Sequence, residues 1–179
     1  HINEYSLIPH SLGSTAKIKK KTAASILQEY EVEKWGQLKA LSKGLKLNEH
    51  HLLGQQAHKE AGNRLCLLEN EIWLASGYEI SCEYVSRSVE ILRQIYIENN
   101  CNSIVELGAG YGRLLIPLMH TLGADKVNKI HALDYTDAAL EILNNVTKES
   151  NFDVQLQRID LSKGPAKQDL PVCDGTLRP

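Results

Sequence analysis

The chain has 179 residues, 42% hydrophobic and 23% charged, with a formal net charge of −2. That is enough for one ordinary domain, or a small domain with a helical extension, and its composition is near the globular average, so neither a disordered nor a membrane-embedded chain is indicated. The charge argues against a strong, general nucleic-acid-binding surface, no run approaches the ~20 apolar residues of a membrane span, and no basic-then-apolar leader opens the chain, so the cytoplasm is the expected location.

Four scattered cysteines, Cys66, Cys82, Cys101 and Cys173, include no C-x-x-C pair. Free thiols are expected and no metal site. The stretch from His1 to about Lys21 is polar and irregular, and its lysines (Lys17, Lys19, Lys20 and Lys21) mark a solvated lead-in. From Thr22 to Leu41, Ile26, Leu27, Tyr30, Trp35, Leu38 and Leu41 recur at helical spacing, with Thr22 as cap and Gly36 as a bend. Asn48 is a second candidate cap, and the apolar positions of 51–53 and 65–74 suggest further helix interrupted by Gly54 and Gly62. His50, His51 and His58 lack the spacing of a metal site, and surface or partly buried histidines are expected there. Ser76-Gly77-Tyr78 reads as a break, and a clear amphipathic helix is expected over 86–99.

The second half changes rhythm. Ser103–Leu107 is a short apolar strand followed by Gly108-Ala109-Gly110-Tyr111-Gly112 and then a helix running from about Arg113 to Leu122. Pro117 places the start of that helix near 111–113, because a proline is tolerated only in the first turn. A second strand at 129–133 closes on Asp134, Thr136 or Asp137 caps a helix over 138–148, and a third strand at 153–159 closes on Asp160. Strand–helix–strand–helix–strand with short connections predicts a parallel sheet. In such a sheet a ligand lies across the carboxyl ends of the strands. Those ends carry Glu106 and the glycines on the first, Asp134 on the second and Asp160 on the third. A carboxylate about twenty residues beyond a glycine loop has the reach to accept from ribose hydroxyls.

The pattern E-x-G-x-G-x-G over Glu106–Gly112 resembles the first motif of class I S-adenosyl-L-methionine-dependent methyltransferases. Leu133-Asp134-Tyr135-Thr136-Asp137-Ala138-Ala139-Leu140 is similar to the second motif of that family, and Ile159-Asp160-Leu161 to the third. The resemblance implies a Rossmann-like α/β domain over 101–179 preceded by an α-helical N-terminal region over 1–100. It implies S-adenosyl-L-methionine as cofactor, with Glu106, Gly108, Gly110 and Gly112 around the methionine end, Asp134 on the ribose and Tyr135 against the adenine or ribose face. Asp160 and the backbone of Leu161 would then meet the adenine. The implied activity is methyl transfer to a small-molecule acceptor, and the resemblance assigns no catalytic residue. Against the seven strands usual in that family, a chain opening at His1 and ending at Pro179 is expected to supply only the first part of the sheet, to strand three or four.

Two other readings remain at this stage. One is a non-catalytic methyltransferase-like fragment or interaction module. The other is an NAD-dependent oxidoreductase, against which count Glu106 and a third glycine placed one residue early, with Arg113 in the slot that G-x-G-x-x-G requires.

Overall fold

A computed structural model describes residues 22–59, 64–68, 71–160 and 163. The polar lead-in, the lysine cluster, the approach to a fourth strand at 170–173 and Leu161 lie outside the described residues. What is described is a mixed α/β structure with a parallel three-stranded sheet, β3 (Ser103–Leu107), β4 (Lys129–Asp134) and β5 (Val154–Arg158), in the order β3-β4-β5. Ser103 pairs with Lys129 and Leu107 with Leu133, and Asp134 pairs with Arg158. Ile130, Ala132 and Leu133 of the central strand have no exposed surface. A strand covered on both faces needs this kind of apolar run.

Two helices connect the strands. α5 (Leu115–Leu122) buries Leu115, Ile116, Leu118, Met119 and Leu122, and α6 (Asp137–Thr147) buries Ala138, Ala139, Ile142, Leu143 and Val146 at three- and four-residue spacing. α5 starts at Leu115, later than the sequence suggests, which makes Pro117 its third residue. There its missing N–H is one of those the first turn leaves without an intrahelical partner.

The N-terminal half is not helical throughout. α1 (Ala23–Gln28) passes into a wide π-type segment at Glu29–Lys34, and after a break at Trp35 come α2 (Gly36–Ser42), a 3-10 turn at Leu47–Glu49 and α3 (His51–Ala57). Thr22 caps α1, its hydroxyl accepting from Ser25 N at 3.1 Å. Asn48 is not a cap; the amide of Lys46 is instead bonded to the Glu49 carboxylate at 2.9 Å. The helix expected over 65–74 is an antiparallel hairpin of β1 (Arg64–Leu68) and β2 (Glu71–Ala75), with Leu68 opposite Glu71. Only Glu69 and Asn70 stand between the strands, the separation a tight hairpin requires.

α4 (Gly77–Glu98) begins nine residues before the start that the sequence suggests. Ser76 Oγ accepts from Glu79 N at 3.2 Å and the Glu79 carboxylate takes the Ser76 N–H at 2.7 Å. This reciprocal capping box turns the apparent break into a helix start. Tyr96 ties α4 to the turn before β4 by donating to the Lys126 carbonyl at 2.9 Å. Among the described residues, no helix is long and apolar enough to cross a membrane.

Candidate functional site

The loop after β3 holds Gly108 at φ +73°, Gly110 at φ +55° and Gly112 at φ +77°. All three lie in the left-handed region, where a Cβ would meet the backbone. Their surroundings separate their roles. A Cβ on Gly112 would sit 2.6 Å from Leu143 and 2.9 Å from Ile116, so this glycine serves the seam between α5 and α6. A Cβ on Gly110 would touch the Trp35 ring at 3.4 Å, whereas one on Gly108 meets nothing within 4 Å.

Most of the loop's amides already have acceptors. Gly108 N and Ala109 N both donate to the Leu133 carbonyl, at 2.8 and 3.0 Å, and Gly112 N donates to the Ala109 carbonyl at 2.8 Å. Gly110 N donates to Asp134 Oδ2 at 2.8 Å. Each N–H has one proton to give, so these four are not open to a phosphate. Asp134 also accepts at Oδ1 from Thr136 N at 2.9 Å and from Thr136 Oγ1 at 2.7 Å. Three donors on a carboxylate with about four lone-pair directions leave it one more acceptor position.

Glu106 contrasts with it. Its carboxylate accepts the Leu115 backbone N–H at the start of α5, but Oε2 is buried and has no hydrogen-bond partner among the described residues. Burial pushes its pKa up to about 7; the Leu115 N–H opposes the rise and the nearby Asp134 charge adds to it. A buried carboxyl left half-satisfied near neutrality is poised to take a cationic donor.

The N-terminal helices form the other wall. Glu31, in the π-type segment, accepts the Ala138 N–H at 2.9 Å and so caps α6 from 107 residues away. Lys39 pairs with Glu141 at 2.6 Å, and Asn145 donates to Ser42 Oγ at 3.0 Å. His50 is buried and its Nε2 lies 2.8 Å from the Tyr111 carbonyl, to which only a protonated Nε2 can donate. Burial, outweighing that bond, lowers its pKa to about 4. Trp35 packs edge-on to Tyr111 at 6.0 Å between centroids.

Sheet ends and helices together enclose a cavity of about 800 Å3. Glu106, Gly108, Gly110, Asp134, Tyr135 and Asp160 line it; Gly112 does not. Asp160 is also paired with Lys163 at 3.4 Å. The sequence did not single out Trp35, Tyr30, Lys34, His58, Tyr84 or Arg113 for this site, and all six line the cavity. Trp35 and Tyr30 look like ordinary core positions of a helix, and Arg113 is visible in the sequence only as the residue occupying a glycine slot.

His120 and His131 do not line the cavity. His120 lies on α5 with a ring nitrogen 3.4 Å from the Leu47 carbonyl, and His131 lies within β4.

No protein-family model matches the chain, and no curated protein matches it in sequence.

Proposed function

We propose that the cavity binds S-adenosyl-L-methionine and that the chain belongs to a Rossmann-like methyltransferase of the class I type, acting on a small-molecule acceptor. The observation that carries this reading is the Glu106 carboxylate, buried and short of a donor, below a loop whose amides are largely committed. That donor set suits an ammonium far better than a pyrophosphate, and so favours an amino-acid-bearing nucleoside over a dinucleotide. The remaining acceptor position of Asp134 suits a ribose hydroxyl, and on this reading Asp160 and Tyr135, which line the same cavity, would meet the adenine. Gly108, with open space at its Cβ position, allows close approach to the backbone.

The bound cofactor would supply an electrophilic methyl group. The chain's own contribution is to hold it in line with the acceptor and to exclude water, with Trp35 and Tyr30 closing one side. Calorimetric titration with S-adenosylhomocysteine tests the reading: micromolar-range binding that Glu106→Gln weakens at least tenfold supports it, and no binding by folded protein rejects it.

A second reading, a module that binds a partner without turnover, draws on exposed apolar side chains. Ile91 and Ile95 of α4 and Ile72 and Leu74 of β2 are each about half exposed or more. Cofactor binding without methyl transfer to any acceptor would favour it.

A further inference from the structure

We infer that Arg113, flanked by Lys34 and His58, forms a carboxylate-binding subsite in the cavity, for a ligand whose body rests against the aromatic wall. Arg113 Nε is buried and has no hydrogen-bond partner among the described residues. The guanidinium reaches α4, where it lies 5.1 Å from the Tyr84 ring centroid and makes one long contact, 3.5 Å, to the Ser81 carbonyl. Those contacts orient the planar fork and leave its charge uncompensated. Arg113 as a whole is only partly buried, and the cost falls on Nε, a donor withdrawn from water without an acceptor.

The neighbouring charges add to the deficit. Lys34 Nζ lies over the Tyr30 ring at 4.4 Å and the Trp35 ring at 5.1 Å. Among the described residues, neither Lys34 nor Arg113 has a carboxylate within ion-pair distance. Both line the cavity together with His58, whose pKa is lowered by burial first and then by these two positive charges.

The cavity's own carboxylates make their contacts away from Arg113 and Lys34, and Glu106 keeps Oε2 without a partner among the described residues. Asp134 holds three donors, Asp160 pairs with Lys163, and Glu106 takes the Leu115 amide. A guanidinium edge recognises a carboxylate geometrically as well as by charge. A doubly charged phosphate would meet more repulsion from those three acids than a singly charged carboxylate.

The function proposed above supplies two possible owners of the carboxylate: the amino-acid end of the cofactor and an acidic acceptor. The experiment is calorimetric titration of the wild-type chain, Arg113→Gln and Arg113→Lys at low salt with four probes. S-adenosylhomocysteine carries the amino-acid carboxylate and 5′-methylthioadenosine lacks it; phenylacetate and phenylacetamide are a charged and neutral aromatic pair. Thermal melts establish that each variant is folded.

Arg113→Gln is expected to weaken at least one carboxylate probe tenfold or more while leaving methylthioadenosine and phenylacetamide unchanged, and Arg113→Lys is expected to recover part of the loss. Loss confined to S-adenosylhomocysteine assigns the subsite to the cofactor; loss confined to phenylacetate assigns it to the acceptor. Unchanged binding of both carboxylates, no binding of either, or equal weakening of charged and neutral partners overturns the inference. Should neither adenosine probe bind the wild type, the cofactor reading fails, and preference for phenylacetate over phenylacetamide still decides the subsite.

Discussion

The amide of Gly110 donates to the carboxylate of Asp134 at 2.8 Å, tying the loop after β3 to the end of β4. The same carboxylate holds Thr136, the residue before α6, by two further bonds. Asp134 is therefore both a cavity wall and the fastener of the site. Asp134→Ala leaves three donors without their acceptor, and a loss of about 3 kcal/mol or more is expected, since each buried group left unpaired costs ~1–3 kcal/mol. Urea unfolding checks this. Asp134→Ala should lose ligand binding and stability together.

The three glycines should respond unequally to alanine. Each pays for its positive φ, about 1–2 kcal/mol. Gly112→Ala adds a steric conflict with Leu143 and Ile116 and is expected to cost more than ~3 kcal/mol, given that overpacking adds about 1–3 kcal/mol. Gly108→Ala has open space and should cost only the backbone share, while its methyl group enters the cavity and weakens ligand binding. Denaturation curves and titrations on the two variants separate packing from approach.

Glu106 and His50 act on stability in opposite directions as pH changes. Glu106, raised from 4.5 to about 7, binds its proton more tightly folded than unfolded. Its contribution is present below about pH 4.5 and is lost as pH rises to 7. His50, lowered from 6.5 to about 4, binds its proton less tightly folded. Its contribution is present above about pH 6.5 and is lost as pH falls to 4. Each is worth up to about 3 kcal/mol at ~1.4 kcal/mol per tenfold change. Glu106→Gln should therefore be more stable than the wild type at pH 8 and comparable at pH 4. His50→Gln should flatten the acid-side loss. Urea unfolding from pH 4 to 8 measures both.

Glu31 offers a test of the helical wall. Its carboxylate stands in for a local cap at Ala138, a role worth about 0.5–2 kcal/mol. Glu31→Ala is expected to lower stability by that amount and to raise hydrogen exchange in the first turn of α6. A variant with unchanged α6 protection would show that this contact does not hold the wall to the sheet.

The sheet was legible because its signals are local. The apolar run of β4, the strand-end acids and the three glycines each reflect a constraint felt within a few residues, and β3, β4, β5 and α6 fall within one residue of where the sequence places them. The start of α4 was equally local, in Ser76 and Glu79, but Gly77 masked it. Thr136 shows the limit: it precedes α6 as a cap should, yet its hydroxyl serves Asp134, and the capping acceptor comes from Glu31. Trp35, Glu31 and Arg113 joined the site through contacts spanning roughly 30 to 110 residues, which leave no periodic trace. The hairpin stayed hidden because leucine-rich runs satisfy helix and strand alike.

The most direct measurement is the affinity of S-adenosylhomocysteine for the wild type and Glu106→Gln at pH 6 and pH 8. If the Glu106 carboxylate receives the ligand's ammonium, wild-type affinity rises several-fold from pH 6 to pH 8 with net proton release, as the acid ionises near pH 7. Glu106→Gln then binds at least tenfold more weakly at pH 8 and loses the pH dependence. Equal affinity for both proteins at both pH values, or no binding by folded wild-type protein, contradicts the account.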